Sequence, residues 1–292
     1  MTRGAFFFGL GYSAQAAAEA MRETSAYSAI GGTVRSPEKA AALQSQGLAA
    51  IVFDGQTPGS EVGTALRGGV SHVIASAAPD AAGDPVLRLH KAELDAAADL
   101  QWLCYYSTVG VYGDFGGAWI DETAPLDPRN ERSFWRLQAE EAWRGYAQRR
   151  GVPLLILRLA GIYGPGRSAL DKMRDGTARR VIKPGQVFNR IHVDDIARVT
   201  ALAAEQNLGG TFNLADDEPA PPQDLITYAA GLLGLEPPPE VAFETAEFTP
   251  MQRSFYADNK RVSNAAIKAA LGIGLAYPDY RAGLDAILKA EQ

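Results

Sequence analysis

The turn Gly9-Leu10-Gly11, with Ala14 after it, has the spacing G-x-G-x-x-[GA] and directly follows a short apolar run over 5–8. Glycines at the first two places supply the conformations of a tight strand-to-helix turn. The bare backbone at Gly11 lets a pyrophosphate approach the amides and the positive dipole end of the following helix. That is the chemistry of a dinucleotide site. A second apolar run ends in Thr33-Val34-Arg35-Ser36, where an NAD site commonly has Asp or Glu for the ribose 2′-hydroxyl. Arg35 with Ser36 suits a 2′-phosphate instead, so NADP is the expected cofactor, ahead of NAD. The other reading of Arg35 is a solvated side chain at a helix start. His192 has an intrinsic pKa fit for acid–base work, and Asp194-Asp195 beside it read as charges at a helix N-terminus, with no metal site expected. Cys104, in mid-strand, reads as buried and inert.

The same N-terminal stretch admits a competing reading, because Arg3, an apolar run and small residues in A-x-A spacing also describe a secretory signal peptide. Gly9 and Gly11 interrupt that run and Glu19 follows soon after, which favours the dinucleotide turn. With 28 basic and 34 acidic residues the formal charge is −6, and there is no basic run to neutralise a phosphate backbone. Nucleic acid and anionic membranes are therefore not expected partners. One cysteine excludes a disulfide framework, and no apolar stretch approaches the roughly 18 residues of a transmembrane span. A cytoplasmic protein is the expectation.

The elements that must position these residues alternate from the start. Strands are expected over 5–8, 28–34, 49–53, 70–75, 102–107 and 154–159, and those over 49–53, 70–75 and 102–107 are continuous apolar runs of the kind buried on both faces of a parallel sheet. Helices are expected over 13–22, from Ser36-Pro37 onward, and over 131–149, the last with an apolar stripe of Trp135, Ala139, Ala142, Trp143 and Tyr146. The second half is less regular and holds most of the prolines, without repeat or linker.

Four later segments carry a resemblance: STVGVYGD (107–114), LRLAGIYGPGR (157–167), RIHVDDIA (190–197) and TFNLADDEP (211–219), followed by RVSNAAIKAALG and YPDYRAGLDAI near the C-terminus. With the glycine turn they resemble, in order and spacing, the extended short-chain dehydrogenase/reductases, the superfamily of NAD(P)-dependent nucleotide-sugar epimerases and dehydratases. The resemblance implies an α/β fold: a Rossmann-type, doubly wound parallel sheet with a small, largely C-terminal substrate domain. The implied division is 1–165 with 190–215 for the cofactor, and 166–189 with 216–292 for the substrate. It also implies that Thr108, four residues before Tyr112, bonds the reacting oxygen, that Ala75-Ser76-Ala77 passes under the cofactor ribose, and that Asp54 touches the adenine. Arg190 matches a position that points to substrate phosphates, with a surface arginine as the other reading. His192 matches one that usually holds the substrate domain's connection. A homodimer through the helix over 131–149 is the implied assembly.

The family carries its chemistry on Tyr-x-x-x-Lys in that long helix, where Lys holds the nicotinamide ribose and lowers the phenol pKa. Alignment on E-T-A-P-L-D-P puts Phe134 and Gln138 there, and neither can exchange a proton in that way. Two functions stay open. One is an NADP-dependent oxidoreductase or epimerase-like enzyme on a nucleotide-sugar-like or other hydroxyl/carbonyl substrate. The other is a non-catalytic NADP(H)-binding or redox-sensing protein.

Overall fold

The computed structural model describes residues 3–292. In chain order the elements begin β1 (Arg3–Phe8), α1 (Tyr12–Glu23), β2 (Tyr27–Val34), α2 (Pro37–Ser45), β3 (Ala49–Val52), α3 (Val62–Arg67) and β4 (Val70–Ala75). Then come α4 (Pro85–Leu89), α5 (Lys91–Asp95), β5 (Trp102–Thr108), β6 (Trp119–Ile120), α6 (Glu131–Arg150), β7 (Leu154–Leu159), β8 (Gly161–Tyr163), α7 (Ala169–Arg174) and β9 (Arg180–Ile182). The chain continues with β10 (Arg190–His192), α8 (Val193–Glu205), β11 (Gly210–Leu214), α9 (Pro222–Leu233), β12 (Glu240–Ala242), α10 (Pro250–Phe255), β13 (Arg261–Val262), α11 (Ala265–Leu271) and α12 (Tyr280–Ala290).

These form two compact units. The first holds the chain up to Thr108, Glu131–Arg158 and Ile196–Phe212; the second holds Val109–Asn130, Leu159–Asp195 and Asn213–Gln292. The division differs from the expected one, since 109–130, 159–165, 190–195 and 213–215 go with the C-terminal part. Strand pairing is the reason: β6 pairs with β13 and β8 with β10, and those pairs hold their segments in the second unit.

The first unit is built on a seven-stranded parallel sheet of order β11-β7-β5-β4-β1-β2-β3. The order reverses between β1 and β4, the place where open α/β sheets leave a crevice at the strands' carboxyl ends. Phe6 and Phe8 of β1, Leu103 and Tyr105 of β5, and Trp143 and Tyr146 of α6 are buried in one cluster. Helix starts follow local chemistry: Ser36 caps α2 by accepting the Lys39 amide, with Pro37 in the first turn, and Asp84 caps α4 by accepting the Val86 and Leu87 amides. No helix of the described residues is long and apolar enough to cross a membrane.

In the second unit β8 and β10 run parallel, with Gly161 opposite Arg190 and Tyr163 opposite His192. Tyr163, Leu170, Ile226, Tyr280 and Leu284 share a core to which α7, α9 and α12 contribute.

Candidate functional site

At the end of β1, Gly9 has φ +95°, a left-handed conformation that side-chain-bearing residues rarely adopt. Its amide donates to Thr33 Oγ1 at 2.9 Å and its carbonyl accepts the Ser76 hydroxyl at 3.0 Å. The Ser76 and Ala77 amides both donate to the Phe8 carbonyl at 2.9 Å, so the ends of β1 and β4 are locked to the turn. A Cβ on Gly9 would stand 3.0 Å from the Ala77 nitrogen, whereas one on Gly11 would meet only the Gly9 carbonyl, at 3.9 Å. Gly11 is the N-cap of the 12-residue α1, which no side chain caps, and Ala14 is fully buried beneath the turn. The open side of Gly11 over an uncapped helix start fits a dinucleotide pyrophosphate.

Arg35 follows β2 directly and is exposed, with no ion pair or hydrogen bond to the described residues. Ser36 beside it already caps α2. Asp54 is exposed, and its Oδ1 accepts the amides of Gln56 at 2.8 Å and Thr57 at 3.1 Å, which hold its carboxyl below the usual range. Its first task is to shape the loop after β3. Gly9, Gly11, Ala14, Arg35 and Ala75 to Ala77 thus lie at the carboxyl ends of β1, β2 and β4, three neighbouring strands.

Thr108 ends β5 and is half-buried. Before it, Tyr105 stacks on Trp143, the Tyr106 hydroxyl bonds Thr200 at 2.8 Å, and the Ser107 hydroxyl donates to Glu140 at 2.5 Å. Glu140 is fully buried and also receives Arg158 Nε at 3.1 Å, Arg158 Nη2 at 2.8 Å and Arg144 Nη2 at 2.9 Å. Asp84 is buried as well; it accepts Trp143 Nε1 at 3.1 Å, and burial pushes its carboxyl up.

Helix α6 turns Ser133, Ala139, Glu140, Trp143, Tyr146 and Ala147 inward. At about 3.6 residues per turn Arg136 falls in the middle of that stripe. Its Nη1 donates to the Tyr106 carbonyl at 2.6 Å, and its guanidinium carbon lies 5.7 Å from the Tyr105 ring centre. Phe134, 49% exposed, and the exposed Gln138 lie on the other side of the helix. The expected register is therefore corrected: the residue of α6 that reaches the end of β5 is Arg136, with Arg132 one turn before it, in place of Gln138 and Phe134. The expected stripe is corrected too, since Ala142 is exposed and Trp135 only half-buried. The inward face is set by Glu140, Trp143 and Ala147, and a count back from them in the sequence reaches Arg136 and Ser133.

In the second unit Arg190 is 6% exposed and turned inward, its Nη1 donating to the carbonyls of Phe188 at 3.0 Å and Ala220 at 3.1 Å. A guanidinium bound to two backbone carbonyls is a strut, which corrects the expectation of a phosphate-facing or surface arginine. His192 is buried against Tyr163 and Tyr277, and its Nδ1 accepts the Asp194 amide at 3.2 Å. Burial lowers its pKa, against the pull of Asp194 and Asp195. Asp195 accepts the amides of Ala276 at 2.7 Å and Tyr277 at 3.0 Å. Tyr112 donates to Asn213 at 2.7 Å. Sequence reading missed Asp216, 1% exposed, whose carboxyl burial pushes up to about 8. Tyr256 and Lys260 do have Tyr-x-x-x-Lys spacing, but they follow α10 outside any helix. Tyr256 packs with Phe188, Phe243 and Phe248, and the Lys260 amine donates to the Gly113 carbonyl at 2.5 Å.

A parallel sheet with a glycine turn at its reversal, an uncapped helix behind it and an arginine after the next strand define a dinucleotide-binding Rossmann protein. The profile of the NAD dependent epimerase/dehydratase family matches residues 66–215, about half the chain, and the chain belongs to that family. Membership makes it a nicotinamide-dinucleotide protein of the oxidoreductase and epimerase type. Among solved structures it is similar to a conserved protein of unknown function from Silicibacter pomeroyi DSS, 45% identical with a TM-score of 0.87 over 100% of both chains. It is also similar to the 3-diazoavenalumate denitrifying reductase of a Streptomyces species, 27% identical over 211 residues, 67% of each chain. UDP-glucuronic acid 4-epimerase from Bacillus cereus, in complex with NAD, shares the fold at 18% identity and a TM-score of 0.74, over 99% of this chain and 100% of that one.

Proposed function

We propose that the protein is an NADP(H)-dependent oxidoreductase or epimerase-like enzyme acting on a hydroxyl- or carbonyl-bearing small molecule, nucleotide-sugar-like or other. The observation that carries the choice of cofactor is Arg35: it follows β2, it is exposed and unpaired, and no acidic residue stands at that strand end. Gly9, Gly11 and Ala14 would hold the pyrophosphate, Arg35 and Ser36 the 2′-phosphate, Asp54 the adenine edge, and Ala75 to Ala77 the ribose. When bound, the nicotinamide supplies or takes up a hydride. Thr108, at the end of β5, would give its hydroxyl to the reacting oxygen.

Titration calorimetry with NADPH and NADH tests the cofactor, and consumption of NADPH across a panel of sugar nucleotides and small carbonyls, for the native protein and Thr108→Ala, tests the reaction. Tighter NADPH binding and a turnover that Thr108→Ala impairs are expected. Equal affinity for the two cofactors would remove the NADP assignment.

One observation favours a second reading, that of an NADP(H)-binding or redox-sensing protein without turnover. Helix α6 contains no lysine and turns Arg136, not an acid–base pair, toward β5. NADPH binding with no consumption by any panel member, unaffected by Thr108→Ala, would favour it.

A further inference from the structure

Arg136 is a half-buried permanent cation that forms no ion pair among the described residues. Its two neighbouring carboxylates are committed elsewhere. Asp84 accepts the Val86 and Leu87 amides and the Trp143 indole, and Glu140 accepts Ser107, Arg144 and Arg158. Of its five N–H donors, one is spent on the Tyr106 carbonyl, while the guanidinium carbon lies 5.7 Å from the Tyr105 ring centre, within reach of a cation–π attraction. A charge taken partly out of water with no counter-ion in direct contact is unfavourable unless an anion completes it. Arg136 holds the carbonyl of Tyr106, two residues before Thr108 near the carboxyl end of a central strand, the end at which open α/β sheets take their ligands. A guanidinium held in one plane matches the two oxygens of a carboxylate or another planar oxyanion, which a point charge does not.

We propose that Arg136 is the anion-binding residue of this site and that the substrate is a small molecule bearing a carboxylate or comparable planar oxyanion. The inference rests on the reading of the carboxyl end of the sheet as a cofactor and substrate site. It assigns a substrate class where that reading leaves a hydroxyl or carbonyl compound of any charge.

Benzoate serves as the probe, titrated into NADPH-loaded protein and followed by the change in NADPH fluorescence, for the native protein, Arg136→Lys and Arg136→Met. Saturable binding to the native protein is expected, weakened about ten- to a hundredfold by Arg136→Met. Arg136→Lys should fall between them, because an ammonium keeps the charge and loses the fork. Thermal melting and far-UV circular dichroism establish that each variant is folded. If Arg136→Met does not fold, the loss in Arg136→Lys decides. No saturable effect on the native protein, or unchanged benzoate affinity in the folded variants, overturns the proposal and leaves the cofactor reading standing. Failure of the native protein to bind NADPH overturns both.

Discussion

The Ser107 hydroxyl donates to the buried carboxylate of Glu140 at 2.5 Å, and this bond ties β5 to α6 one residue before Thr108. Arg158 of β7 and Arg144 of α6 meet the same carboxylate, so three elements converge on one charge. Glu140→Ala leaves a fully buried guanidinium, that of Arg158, without its counter-ion. It should destabilise the first unit by about 3–5 kcal/mol, while Glu140→Gln, which keeps the shape, costs less. Denaturant unfolding of both variants checks this; a loss below about 1 kcal/mol for Glu140→Ala would show that the network is not a structural anchor.

Gly9 cannot gain a side chain cheaply, because its φ of +95° opposes one and a methyl there would stand 3.0 Å from the Ala77 nitrogen. Gly9→Ala should cost roughly 1–3 kcal/mol of stability and weaken dinucleotide binding. Arg35→Ala acts differently. It should lower NADPH affinity about ten- to a hundredfold and leave NADH affinity and melting temperature nearly unchanged, since Arg35 makes no bond to the described residues. Equal loss for both cofactors would count against a 2′-phosphate contact.

Asp216 gives a pH signature to the second unit. Burial raises its pKa from 3.8 to about 8, against the pull of Arg190 and the Glu218 amide, with Asp217 and Asp279 adding to the rise. Between those values the unfolded chain has released a proton that the folded protein keeps. The stabilisation is therefore complete below about pH 4 and is lost as pH rises toward about 8. Asp216→Asn removes this dependence. Relative to the variant, the native protein should lose several degrees of melting temperature, as an order-of-magnitude figure, between about pH 5 and pH 8. Melting curves that stay parallel across that range contradict the raised pKa.

The orientation of α6 predicts the outcome of a repair. Phe134→Tyr with Gln138→Lys places a phenol and an ammonium on the exposed side of the helix, so stability should change by less than about 0.5 kcal/mol and NADPH-dependent turnover should not rise. Arg132→Tyr with Arg136→Lys puts the ammonium on the side that meets β5, with the phenol one helical turn before it. A gain in carbonyl reduction from the first pair and none from the second, in a spectrophotometric assay, would reverse the register.

The sequence alone was enough for the strand over 70–75, the strand over 154–159, the glycine turn and the Ser36-Pro37 helix start, all of which the structure contains. Each is written locally: continuous apolar runs bury in a parallel sheet, a positive φ calls for glycine, and a serine caps the amides three residues on. Which residue of α6 meets β5 was not local. A helix offers every residue type to some direction, and the inward side was chosen by the burial of Glu140, Trp143 and Ala147 against the sheet, which carried Arg136 inward and Phe134 out. The same holds for Arg190, which read as phosphate-facing or as a surface residue until the pairing of β10 with β8 buried it and gave it two backbone carbonyls. Charge burial depends on partners distant in the chain, and only the tertiary structure brings those partners together.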